Sequence, residues 1–148
     1  MKIPPLAQLA ICSLIAGILS TLLPLMAFSA PNWLVTIIAL IGSLFLLPAV
    51  ISFAAQKTTV NPQTPSAATT LVTGGIYSIT RNPMYLGMLL LLVAFAVWLG
   101  EVSAILPVFI FFLSIDRIQI RREEESLRRI FGQAFEDYAN HVPKWLFI

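Results

Sequence analysis

Between Leu71 and Gly87 the chain reads LVTGGIYSITRNPMYLG, and this run holds the residue types best suited to gripping a ligand. Paired glycines at Gly74 and Gly75 admit backbone conformations closed to other residues and let a ligand approach the main chain. Asn82 followed by Pro83 predicts a helix start, with an amide able to cap free N–H groups and a ring already set at helical φ. Donors left at such a turn suit anionic or polar ligand groups. A second set lies at Glu123 and Glu124. An inward carboxylate is expensive unless it has a partner or a ligand, and in a membrane chain it marks a candidate site.

The elements that must position these residues are membrane elements. The 148 residues are 58% hydrophobic and 11% charged, with a net charge of +2 and a mean hydropathy of +0.89, far too apolar for an ordinary soluble domain. No charge interrupts the sequence between Lys2 and Lys57, and only Glu101 lies between Arg81 and Asp116. This predicts an all-α integral membrane bundle, a single domain over 1–148 with four spans at about 6–28, 33–54, 83–99 and 102–115 and a tail over 116–148. A cleaved signal peptide competes for the first span, but its apolar run is long for one and Pro31 would follow the cut. The polar stretch Gln56 to Thr70 reads as a loop. In the four-span arrangement all nine basic residues, Lys2, Lys57, Arg81, Arg117, Arg121, Arg122, Arg128, Arg129 and Lys144, fall on one side. The positive-inside rule then places both termini in the cytoplasm.

Cys12 is the single cysteine and His141 the single histidine. No disulfide framework, zinc spacing or Cys/His nucleophile can be assembled from them, and neither a metal nor a nucleic-acid partner is expected. Gly17, Ser20, Gly42 and Ser43 read as packing positions. In the tail, Ile120, Leu127, Ile130, Phe131, Ala134 and Tyr138 share one face at ~100° per residue if Gly132 does not break the helix. Glu123 and Glu124 fall on or beside that stripe; Arg122, Glu125 and Arg129 fall opposite, with Glu125 and Arg129 spaced as a surface pair.

LVTGGIYSITRNPMYLG, followed one hairpin later by RREEESLRRIFGQAFEDYANHVPKW, resembles the isoprenylcysteine carboxyl methyltransferase family and its phospholipid N-methyltransferase relatives. The likeness covers roughly Thr69 to Ile148. It implies an integral membrane enzyme that uses S-adenosylmethionine, held between the hairpin and the C-terminal segment. By position it implies cofactor contacts at Thr70, Leu71, Val72, Tyr77, Asn82, Pro83, Met84 and Tyr85, with Glu123 or Glu124 as the cofactor-binding acid. Strict spacing puts Gln119, flanked by Arg117 and Arg121, where the family has its substrate-facing arginine. The sequence departs from the family at Asn82, where histidine is common, and at Phe135, where tyrosine is. Asparagine donates and accepts hydrogen bonds but does not titrate as histidine does.

The expected function is methyl transfer from S-adenosylmethionine to a lipophilic acceptor, an isoprenylcysteine-type carboxylate or a lipid amine, among membrane lipids. In it Tyr77 or Tyr85 faces the sulfonium, Glu123 or Glu124 binds ribose hydroxyls or the ligand ammonium, and Arg121 is the catalytic candidate, orienting an acceptor carboxylate. Met84, Leu86 and Met88 are expected to wall the acceptor. The alternative is a non-catalytic membrane module whose basic tail binds anionic lipid or a partner protein; a nicotinamide nucleotide is the third possibility. Taken singly, the same residues are a capped helix start, aromatic-belt tyrosines, a snorkelling Arg81 and a solvated acidic run.

Overall fold

A backbone in hydrocarbon must satisfy its own hydrogen bonds, so long apolar runs fold as helices. The computed structural model describes residues 3–55 and 70–146. Lys2, Lys57 and the expected loop except Thr70 lie outside the described residues. Helix α1 is Pro5–Leu22 and α2 is Asn32–Ala55. A 3₁₀ turn at Gly75–Ser78 precedes α3, Pro83–Leu99. From Val102 to Phe131 the chain is one continuous helix, α4, and Gln133–His141 forms α5. The described residues contain no sheet, only an isolated bridge between Ala27 and Glu101.

Three of these helices, not four, are long and apolar enough to cross a membrane: Pro5–Leu22, Asn32–Ser52 and Val102–Phe131. The expected four-span count fails at α3. Its 17 residues rise only about 25 Å at 1.5 Å each, short of a hydrocarbon core of about 30 Å. The flanks do not lengthen it, because Asn82 before it is non-helical and Gly100 after it turns left-handed at φ 67°. The expected span 102–115 errs the other way. Nothing between Ser114 and Arg121 breaks the helix, so it runs on into the charged sequence, widening to π geometry over Ile115–Ile120. The expected first span also stops early, at Leu22 with Pro24 just beyond it.

Two sets of contacts define the ends of the bundle. At one end Ser114 Oγ donates to Gln8 Oε1 at 2.7 Å, which brings the start of α1 beside the charged part of α4. At the other, Phe28 N–H donates to Gly100 O and Val102 N–H to Met26 O. There Glu101 is 9% exposed, its carboxylate accepting from Leu25 N–H at 3.1 Å and Met26 N–H at 3.2 Å. The main core gathers Tyr85, Leu92, Phe111, Ile115, Ile120 and Trp145. Leu86 and Met88 belong to it too, so of the expected acceptor wall only Met84 lies elsewhere, against Val72 and Tyr77.

Helices α2 and α3 meet at their glycines. A Cβ on Gly87 would lie 2.7 Å from Gly42 O and 2.8 Å from Leu46 N, both backbone atoms that cannot swing aside. Small residues at this crossing let the backbones approach. Gly87→Ala is therefore expected to destabilise by about 1–3 kcal/mol, read as a lower thermal midpoint in detergent. Gly17→Ala, inside α1 and with nothing within 4 Å of its Cβ, should not lower the midpoint. Equal midpoints for the two variants would contradict the close crossing.

Candidate functional site

The motif is held from behind by the returning chain. Arg81 N–H donates to Pro143 O at 2.9 Å, Thr80 Oγ1 to Lys144 O at 3.1 Å and Asn82 Nδ2 to Lys144 O at 3.0 Å. Tyr138 Oη donates to Tyr77 O at 2.6 Å. Contrary to the expectation of a capping amide, the Asn82 side chain does not cap α3; it is spent on the tail. Arg81 is the centre of this clasp. Its Nη1 donates to Ala139 O and Val142 O, each at 2.7 Å, and its Nε and Nη2 donate to Glu124 Oε1 at 3.1 and 2.9 Å. With side chains 13% and 14% exposed, the two form a part-buried ion pair, not a snorkelling anchor and a solvated acid.

Asp116 secures the same segment from α4. It accepts from Lys144 Nζ at 2.7 Å and Trp145 Nε1 at 2.9 Å, while the Trp145 ring packs on Phe112. The wide π turn carries both Asp116 and Gln119, and such turns are frequent at functional sites.

In front of the clasp lies a different carboxylate. Glu123 Oε1 accepts from Tyr85 Oη at 2.5 Å and Gln119 Nε2 at 2.6 Å. No Lys, Arg or His among the described residues forms an ion pair with it. Tyr77 and Tyr85 are each 5% exposed, and Val72, Tyr77, Met84 and Ala49 form the adjoining apolar cluster. Burial, with Tyr138 and Glu123 nearby, pushes the Tyr77 phenol well above its usual range. Burial pushes Tyr138 up to about 12, although Arg81 beside it pulls the other way. Both phenols are neutral donors at pH 7.

The sequence-derived candidates thus separate. Val72, Tyr77, Met84, Tyr85 and Glu123 come together, with Pro83 buried in the first turn of α3. Thr70 is exposed and Leu71 half-buried at the entry to the motif. Glu124 is occupied by Arg81. Arg121 stands away from the cluster: two residues from Glu123, it points to the far side of α4, its side chain 77% exposed and its Nε 3.2 Å from Glu125 Oε1. Glu125 therefore pairs with Arg121 instead of Arg129. The expected apolar stripe also fails, because Gly132 at φ 52° ends the helix and Ile130 is 41% exposed. Phe135 is buried, packing edge-on to Tyr138 with the Arg128 guanidinium over its ring. Arg81, Asp116 and Trp145 were missed as site-building residues. The signal for Arg81 was its place as the one cation next to a motif that faces an acidic pair. Among the described residues no three His, Cys, Asp or Glu side chains gather as metal ligands.

Comparison with known proteins gives two matches. A family model described as phospholipid methyltransferase matches residues 30–134. The match begins ahead of α2, so the likeness is not confined to the second half of the chain, and it does not single out the isoprenylcysteine branch. A Haemophilus influenzae protein described as "Uncharacterized protein" is 46% identical over 63 residues, 43% of this chain and 100% of that protein. No solved structure matches.

Proposed function

The chain belongs to the phospholipid methyltransferase family, and from that premise we propose that it carries out S-adenosylmethionine-dependent methyl transfer to a lipophilic acceptor at the Tyr77–Tyr85–Glu123 cluster. The observation that carries the reading is the Glu123 carboxylate. It is held by two neutral donors, Tyr85 and Gln119, beside two buried aromatic rings, and no basic residue among those described is set against it. A carboxylate so placed favours a cation brought from outside, and aromatic faces add to that preference. These residues fit a sulfonium cofactor; Glu124, its charge already paired with Arg81, does not.

When bound, the cofactor supplies a methyl group already activated by its sulfonium, so the chain needs no nucleophile of its own. What remains for the protein is to orient the partners and exclude water. In this proposal Glu123 binds the cofactor's polar hydroxyl or ammonium groups, Tyr77 or Tyr85 lies toward its positive charge, and Thr70, Leu71, Val72 and Met84 line its approach. Asn82 and Pro83 act by position, fixing the start of α3 against the tail. Methyl-labelled S-adenosylmethionine given to the full chain in lipid vesicles is expected to label the organic-extractable lipid fraction; label confined to the aqueous phase would count against a lipophilic acceptor.

We further propose that the site end of the bundle faces the cytoplasm. Arg81, Arg117, Arg121, Arg122, Arg128, Arg129 and Lys144 all belong to that end, and the stretches Leu23–Asn32 and Gly100–Glu101 carry no basic residue. The contact of Gln8 with Ser114 places the start of α1 at that end as well. In a Cys12→Ser background, cysteines at Arg122 and Asn32 should react with an impermeant thiol reagent from opposite sides. Labelling of both from one side would overturn the assignment.

A further inference from the structure

The outer face of α4 carries a feature that methyl transfer does not use. Leu106, Phe109 and Leu113 are 56%, 61% and 50% exposed, and they recur at the three- and four-residue spacing that stacks side chains along one side of a helix. The same row continues into Arg117 and Arg121, whose side chains are 78% and 77% exposed. An apolar stripe thus runs directly into two arginines. From Leu106 to Arg117 the helix rises about 16 Å, close to the thickness of one leaflet's hydrocarbon, half of about 30 Å.

The arginines open onto a cleft of about 510 Å³ that Arg128, Lys144, Asp116, Glu124 and Glu125 also line. Its carboxylates are largely committed elsewhere. Asp116 is held by Lys144 and Trp145 and meets Arg117 only at 3.5 Å, and Glu124 is held by Arg81. Arg121 reaches Glu125 through Nε alone. The terminal Nη groups of Arg117 and Arg121 make no hydrogen bond among the described residues, which leaves paired donors of the geometry that phosphate accepts.

We propose that this face holds one anionic phospholipid, its phosphate on Arg117 and Arg121 and an acyl chain along Leu113, Phe109 and Leu106. The lipid is a resident, not the methyl acceptor, because Arg121 and Glu123 point to opposite sides of α4. Its binding fixes the depth at which α4 leaves the hydrocarbon, and with it the depth of Glu123. The inference does not depend on the cofactor proposal.

Native mass spectrometry of the full chain, equilibrated in detergent with equal amounts of phosphatidylglycerol and phosphatidylcholine, tests it. The wild type should retain one phosphatidylglycerol in preference to phosphatidylcholine. Each basic residue at a membrane surface contributes about fivefold to such a preference, so Arg117→Gln/Arg121→Gln should lower the ratio about 25-fold. Arg129→Gln, outside the stripe, should keep it. Inorganic phosphate at millimolar levels should not displace the lipid, since it has no chain to lay on the stripe. An unchanged ratio in the double variant, equal retention of the two lipids by the wild type, or displacement by inorganic phosphate would each overturn the proposal.

Discussion

Replacing Arg81 by alanine is expected to destabilise the chain by about 3 kcal/mol, the low end of the range found when one partner of a buried ion pair is removed. The guanidinium makes four hydrogen bonds, two to backbone carbonyls of the returning segment and two to one oxygen of Glu124. Its removal leaves a part-buried carboxylate with only Arg128, 3.9 Å from its other oxygen, and strands two carbonyls. Both Arg81 and its partner are covered enough that solvent screens the pair much less than a surface one. The effect should appear as a lower thermal midpoint in detergent and as earlier proteolysis after α5. Arg81→Met with Glu124→Leu should recover part of the loss, because the stranded charge is gone. A midpoint in the single variant within 1–2 °C of the wild type would show that Arg81 is a surface anchor after all, since even about 1 kcal/mol shifts a chain of this size by several degrees.

The second large effect is on affinity. Glu123→Gln keeps the volume of the side chain and an oxygen that accepts from Tyr85, and removes only the charge. It is expected to weaken S-adenosylmethionine binding by about 1.5–3 kcal/mol, the contribution of a hydrogen bond to a charged group, or roughly tenfold to 150-fold in Kd. Glu124→Gln should register in stability through Arg81 instead, and Glu125→Gln, an exposed partner of Arg121, in neither. Equal small effects on affinity at all three positions would return the run to an ordinary solvated face.

That Glu123 and Glu124 do different work was not legible in the sequence. Both fall near the same stripe at ~100° per residue, but the π turn at Ile115–Ile120 shifts the register just before them. One then meets Tyr85 and the other Arg81, contacts across 38 and 43 residues of chain. What could be read was local: the apolar runs, the helix start at Pro83, and the crowding of Tyr77, Asn82 and Tyr85 into one turn. The count of crossing helices failed because hydrophobicity alone set it. Pro83–Leu99 is as apolar as its neighbours but bounded at both ends, whereas α4 continues past Asp116 because charge does not stop a helix. The clasp at Pro143, Lys144 and Trp145 left no periodic signal, being made of backbone carbonyls and one indole.

Calorimetry of the purified full chain in detergent, titrated in turn with S-adenosylmethionine, its demethylated product and NADPH, bears most directly on the cofactor assignment. Saturable one-site binding of the first two, with no heat from the nucleotide, is the predicted result, and Glu123→Gln should shift both curves. Absence of binding by S-adenosylmethionine, or saturation by NADPH in its place, would contradict the account.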